Sequence, residues 1–266
     1  MFKCQPAKKL GRIDDRTHGP MQGITSLSNA QSEFYDENGY LVIENFLSGD
    51  VCDSIARIYN DFARGQFVNI VNLDRKVPEV HALITDPGIL KLVDSLQGAR
   101  MIPLATNYFF CKPGNTLEGG SNFHQDNFYP KAPYGSYLAV AVALDNADQN
   151  NGALTVCSGT HKLGDLPADA SKNFEHDEKG NIISAYPIGA SVALPEGLVP
   201  MQLSYSKGSL LFIHGHLVHG APKNPSQTNW RRTLYINYIK EGHPFWPGWT
   251  AKRSLIGRDK AFDDKH

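Results

Sequence analysis

His124 and Asp126 stand two residues apart in the run GGSNFHQDNFYP, residues 119–130. Alternate side chains of an extended segment leave on one face, so this spacing offers an imidazole and a carboxylate to the same divalent cation. An H-x-D triplet also arises by chance in chains of this size and then usually ends as a hydrogen-bonded surface pair, so context must decide. A third ligand has three competitors in SLLFIHGHLVHGAPKNPSQTNWRR: His214, His216 and His219. His219 closes an apolar run just before a glycine, where a strand ends and a ligand can face a cavity. Two neutral imidazoles and one carboxylate on one face of an octahedral ion leave three positions open, the arrangement of non-haem Fe(II) oxygenases. A chelating cosubstrate and dioxygen must fill them.

Arg231 follows at the start of RRTLYINYI. A guanidinium fork pairs bidentately with a carboxylate, as needed to hold the far end of a dicarboxylate whose keto-acid end chelates iron. Alternation along a strand puts Arg231 on a polar face with Thr233, Tyr235 and Asn237, and Arg232 on a face with Leu234, Ile236 and Tyr238. Arg231 is preferred, with Arg232 as the alternative.

These residues need a rigid frame. The 266 residues suffice for one large domain. Residues 1–28 read as a loosely structured arm, because they are polar and aperiodic, and residues 29–266 as a single domain. In SGDVCDSIARIYNDFARG the apolar residues Val51, Ile55, Ile58, Tyr59 and Phe62 recur at helical spacing, with Ser48 as cap and Gly65 as stop. DPGILKLVDSLQG is a second helix, capped by Asp86 with Pro87 in its first turn. From Met101 the texture changes to short β runs, MIPLATNYFFC, YLAVAVALD, ALTVC, VPMQLSY, SLLFI and RTLYINYI, which predict a sandwich or barrel with flanking helices. The stretch of about 163–199, with HDEKGN as a hairpin tip, is too long for an ordinary loop and is a candidate lid.

Lys plus Arg number 26 and Asp plus Glu 27, so no net field favours nucleic acid or an anionic membrane. A small-molecule partner is expected, with the protein a monomer or homodimer. Four cysteines form no C-x-x-C pair, and Cys111 and Cys157 lie in apolar runs, which suits a reducing compartment. The first residues lack the apolar core of a secretory signal, no apolar run reaches bilayer length, and FDDKH carries no peroxisomal address. A cytoplasmic protein is expected.

The order of features resembles the phytanoyl-CoA dioxygenase family of Fe(II)- and 2-oxoglutarate-dependent oxygenases. The resemblance runs from about Ser32 to Ile239 and includes FYDENGYLVIENFLS, DPGILKLV, the KPG before HQD, LDNADQNNGALTVCSGTHKLG, and HGHLVHGAPKN followed by an arginine. It implies a mainly β double-stranded β-helix (jelly-roll, cupin-like) core. It also implies iron binding by His124, Asp126 and His219, and a grip by Arg231 on the distal carboxylate of 2-oxoglutarate. By position, Tyr108 matches a family residue lining the cosubstrate pocket. Three features depart from the family pattern. The gap from His219 to the arginine is one residue longer than usual, which keeps Arg232 open. Ala221 stands where a small hydroxyl residue is common, and Ala141 where a tryptophan is frequent, so that with Ala139 and Ala143 the strand offers either an open wall or tight packing. Asn127, Phe128 and Tyr129 follow the metal pair and are candidate substrate contacts together with Ala141.

The implied reaction couples conversion of 2-oxoglutarate and O2 to succinate and CO2 with hydroxylation of an unactivated C–H bond of a small metabolite, natural-product biosynthesis being one setting for it. Ascorbate is the expected activity support. The same chemistry can end in desaturation or cyclisation. Two competing readings are a cupin-like metal isomerase, which has no use for Arg231, and a non-catalytic binding module on the same scaffold.

Overall fold

The computed structural model describes residues 26–63, 70–111, 120–169, 174–176, 182–185, 191–248 and 251–263. Side chains of 59–63, 70, 108–111, 174–176 and 182–185 are outside that description. The arm apart from its last residues, Cys4, Gly65, the KPG turn and the tip of the HDEKGN hairpin fall outside the described residues.

Four α-helices are present among the described residues: α1 (Asn29–Asn38), α2 (Gly49–Ala63), α3 (Pro78–Ile84) and α4 (Pro87–Gln97). The two expected helices begin where their caps dictate. Ser48 Oγ accepts the Val51 N–H at 3.2 Å at the start of α2, and Asp86 Oδ1 accepts the Ile89 N–H at 2.9 Å at the start of α4. Gly98, in the left-handed region, ends α4. Helix α1 was not expected, although Ser28 and Gln31 form a reciprocal capping box. Its apolar face is too sparse to show periodicity, since Tyr35 is its one buried residue.

The strands are β1 (Tyr40–Ile43), β2 (Ile70–Val71), β3 (Met101–Cys111), β4 (Ser121–His124), β5 (Tyr137–Ala143), β6 (Thr155–Cys157), β7 (Ala168–Asp169), β8 (Phe174–His176), β9 (Ile182–Ala185), β10 (Ser191–Val192), β11 (Met201–Gln202), β12 (Leu210–His214), β13 (Val218–Ala221) and β14 (Arg231–Lys240). A six-stranded antiparallel sheet runs β1-β12-β5-β14-β3-β2, and a four-stranded one β11-β6-β13-β4. The core is a jelly-roll. The candidate lid span is not one bare loop, because β7 pairs with β10 and β8 with β9 within it.

Alternation divides the large sheet into two chemical faces. Leu138, Val140 and Val142 of β5, Leu210 and Phe212 of β12, and Leu234, Ile236 and Tyr238 of β14 join one apolar cluster with residues of α2, α3 and α4. Tyr238 Oη donates to Ile84 O at 3.0 Å, tying α3 to this face. The opposite face carries Ala139, Ala141 and Ala143, Leu211 and Ile213, which pack with Leu154 and Val156 from the β6 side. The metal-ligating residue types lie between the two sheets on this inner side.

Candidate metal centre

His124 ends β4, and the chain then tightens into a 3-10 turn over Asp126–Phe128. Asp126 therefore does not share a strand face with His124 as the two-residue spacing suggested. The turn folds its carboxylate back, leaving Oδ1 3.5 Å from His124 Nε2. Strand β13 pairs with β4 and sets His219 opposite His124, with ring centroids 4.4 Å apart. His219 Nε2 is 3.7 Å from the same Asp126 oxygen. A register shift follows His219 within β13, the kind of irregularity that re-aims a side chain beside a site.

The donor set fits a metal. His124 Nδ1 lies 2.7 Å from Asn122 O, and His219 Nδ1 3.0 Å from Leu217 O. Each contact places the proton on Nδ1, because a carbonyl can only accept, and leaves the Nε2 lone pair turned to the centre. Two imidazole lone pairs and a carboxylate converge, with all ligand atoms within 4.8 Å of one another. Donors bound cis to one ion at about 2.1 Å stand roughly 3 Å apart, so a small inward movement suffices.

Without a cation, a proton must relieve this convergence. Burial opposes charge on His124, yet the hydrogen bond and charge of Asp126 outweigh it and raise its pKa. Burial likewise works against an ionised Asp126, but His219 and His124 together lower its pKa. Burial and the neighbouring His124 push His219 down to about 4 despite Asp126. A divalent ion, which needs neutral imidazoles and an ionised carboxylate, would bind this set with release of any proton it carries.

Arg231 opens β14 on the inner face, buried at 5 % exposure, and Nη2 donates to Pro222 O at 3.3 Å. Arg232 faces the other way and is engaged by Asp145, with Nε to Oδ2 at 2.8 Å and Nη2 to Oδ1 at 2.5 Å. Its guanidinium also lies over the Trp230 ring, 5.5 Å from the centroid. Tyr108 sits in β3 at the register position across from Leu234, in the Arg232 row and not across from Arg231; its side chain is among those not described.

The structure places the candidate substrate contacts as follows. Ala141 is buried in the inter-sheet cluster, paired with Leu211 and Tyr235, so the alanine row is tight packing and not an open wall. Asn127 turns away from the centre to brace its own turn. Its Nδ2 donates to Ala132 O at 2.9 Å and lies 3.2 Å from His216 Nε2, while its Oδ1 accepts the Ala132 N–H. Phe128 is partly exposed and meets Tyr129 edge to face at 5.4 Å. Ala221 is buried in β13. His214 and His216 do not join the metal group but stack beside His161 and Tyr134.

Gln125 was missed. Between His124 and Asp126 it points the opposite way, and Nε2 donates to Gly164 O and His216 O while Oε1 accepts the Leu166 N–H. It thereby fastens the stem of the 163–199 span to the metal loop. Its place between two ligands on an alternating segment was the available signal.

The family model for phytanoyl-CoA dioxygenase (PhyH) matches residues 35–233. The peroxisomal phytanoyl-CoA dioxygenase of Bos taurus is 28% identical over 230 residues, which cover 76% of this chain and 65% of the bovine protein. The chain thus matches less than two thirds of that relative's length. Among solved structures, the non-heme alpha ketoglutarate dependent carbocyclase SnoK is similar at TM-score 0.67 and 19% identity, over 87% of this chain and 91% of that one. The epimerase SnoN, solved with Fe3+, alpha ketoglutarate and nogalamycin RO, is similar at TM-score 0.65 and 20% identity, over 84% and 87%. No helix among the described residues is long and apolar enough to cross a membrane.

Proposed function

Because the chain belongs to the phytanoyl-CoA dioxygenase family, we propose that it is an Fe(II)- and 2-oxoglutarate-dependent dioxygenase that hydroxylates an unactivated C–H bond of a small-molecule metabolite. The observation that carries this reading is the convergence of two Nδ1-tethered imidazoles and one carboxylate between the sheets. His124, Asp126 and His219 would hold iron on one face. Iron with 2-oxoglutarate and O2 supplies the oxidising power, with succinate and CO2 as products.

The chain's own share is positioning and exclusion of water. Arg231 is the anchor for the far carboxylate of 2-oxoglutarate, since its partner in sequence, Arg232, is already matched by Asp145. The fork costs little reorganisation, because burial and the Pro222 carbonyl hold it. Gln125 fastens the start of the 163–199 span at Gly164 and Leu166, which supports reading its described part as a cover for the site. An isomerase or a pure binding module gives no role to Arg231.

The test is anaerobic addition of 2-oxoglutarate to the Fe(II)-loaded protein. We expect the visible charge-transfer band of the chelate, followed in air, with ascorbate, by substrate-dependent succinate release. Asp126→Ala and His124→Ala should each lose the release. A protein that binds Fe(II) yet gives no band with 2-oxoglutarate is not this enzyme. Product mass then separates hydroxylation, a gain of one oxygen, from desaturation or cyclisation, a loss of two hydrogens.

A further inference from the structure

His216 competed in sequence for the third metal position and stands outside the metal group, yet it contacts the 3-10 turn that carries Asp126. It is 1 % exposed, and its neighbours leave the ring one place. Its N–H donates to His214 Nδ1 at 3.1 Å, its carbonyl accepts from Gln125 Nε2 at 2.7 Å, and the Tyr134 and His214 rings lie 4.8 and 5.5 Å away between centroids. Nδ1 is buried with no partner among the described residues. The polar contacts of the ring are therefore all at Nε2.

Two groups of opposite kind meet that nitrogen. Asp165 Oδ1 lies 3.1 Å from Nε2, and Asn127 Nδ2 lies 3.2 Å from it. A carboxylate can only accept a hydrogen bond, and an amide nitrogen can only donate one. The orientation of the Asn127 amide is settled by Ala132, whose carbonyl accepts from Nδ2 and whose N–H donates to Oδ1. Turning the amide over would set donor against donor and acceptor against acceptor. Burial keeps the ring neutral, holding the His216 pKa below its ordinary value despite Asp165. A neutral imidazole has one proton, so Nε2 either donates to Asp165 or accepts from Asn127, never both at once.

The two partners belong to different elements. Asp165 lies on the stem of the 163–199 span, between the Gly164 and Leu166 contacts of Gln125, and Asn127 lies in the Asp126–Phe128 turn. A bond to a carboxylate is about twice as strong as a neutral one, so with the stem docked the proton belongs on Nε2. The Asp165 side chain is 78 % exposed, so water can replace His216 at little cost when the stem departs. We propose that His216 is a positioning residue that joins the stem to the metal turn through its tautomer: with Asp165 docked Nε2 carries the proton, and when Asp165 leaves, the proton moves to Nδ1 and Nε2 accepts the Asn127 N–H. Water takes the proton from Nε2 and returns one at Nδ1, so the ring stays neutral. Docking of the stem thus deprives the turn of one hydrogen bond, and departure restores it. Its use in catalysis rests on the proposed oxygenase reading, because the turn so loosened or braced carries Asp126.

The test uses the full chain, metal-free and Zn(II)-loaded. Long-range 1H–15N spectra distinguish an Nε2–H from an Nδ1–H imidazole, and His216→Gln identifies the His216 signals by their loss. The wild type should show Nε2–H, Asp165→Ala should show Nδ1–H, and Asp165→Glu should restore Nε2–H. The Phe128 and Tyr129 amides close the turn onto Gln125 O and Asp126 O. Their hydrogen exchange should slow about fivefold in Asp165→Ala, the factor for one neutral hydrogen bond. It should not change when Asp165→Ala is made in His216→Gln, where the new amide can serve a donor and an acceptor together. Nδ1–H in the wild type, Nε2–H kept in Asp165→Ala with water in place of the carboxylate, or equal exchange in the two proteins overturns the proposal. The charge-transfer band of the Fe(II) protein with 2-oxoglutarate reports separately on the oxygenase reading, since neither tautomer nor exchange depends on it.

Discussion

Adjacent arginines at the head of β14 should fail in opposite ways. Arg232 makes three contacts with Asp145, two from its guanidinium at 2.5 and 2.8 Å and one from its backbone N–H at 2.9 Å, with both side chains about one-sixth exposed. Exposed pairs contribute 0–1 kcal/mol and breaking a buried one costs 3–5, so this partly buried pair should cost about 2 kcal/mol when Arg232 becomes Ala. In a chain of this length that is a fall in Tm of roughly 4–8 °C. Arg231 is buried on the other face. If it grips a carboxylate through two charge-assisted bonds, Arg231→Ala forfeits about 3 kcal/mol of 2-oxoglutarate binding, which is about a hundredfold in Kd. Arg231→Lys, which keeps the charge and loses the fork, should fall between. Anaerobic titration of the charge-transfer band gives Kd, and urea or thermal melts give stability. A large Kd shift in Arg232→Ala with an unchanged Tm, or an unchanged Kd in Arg231→Ala, refutes the division of labour.

Two further outcomes follow from buried polar groups. His214 is held neutral, its pKa pushed down to about 3 by burial and by His161, His216 and Lys240. The unfolded chain therefore binds more protons between about pH 6.5 and pH 3, and stability that is complete above pH 6.5 is lost as pH falls through that window, by roughly a few kcal/mol. Urea midpoints of the wild type should drop steeply from pH 6.5 to 4.5 and those of His214→Asn less so; parallel slopes would sink the assignment. Asn237→Leu removes an amide whose Nδ2 has no partner among the described residues. It should raise stability by about 1 kcal/mol, whereas a destabilised variant would show that the amide serves the fold.

The chemistry that could be read along the chain was the chemistry that leaves a local mark. β3 spans the expected Met101–Cys111 run, and Asp86 caps α4, because alternation and capping act over a few residues. His124, Asp126 and His219 are rare residue types at fixed offsets, and the two sheets bring them together. The Arg231 and Arg232 faces follow from period two alone. What was not legible depended on how the chain turns and packs in three dimensions. Ala141 faced an unknown opposite wall, and Leu154 and Val156 fill it. Asn127 was a candidate substrate contact, but a 3-10 turn over Asp126–Phe128 sends its amide to Ala132. Metal ligands must be particular residue types at particular offsets, so they are legible locally. Groups that recognise a substrate need only be donors in the right place, and that place is set by tertiary structure.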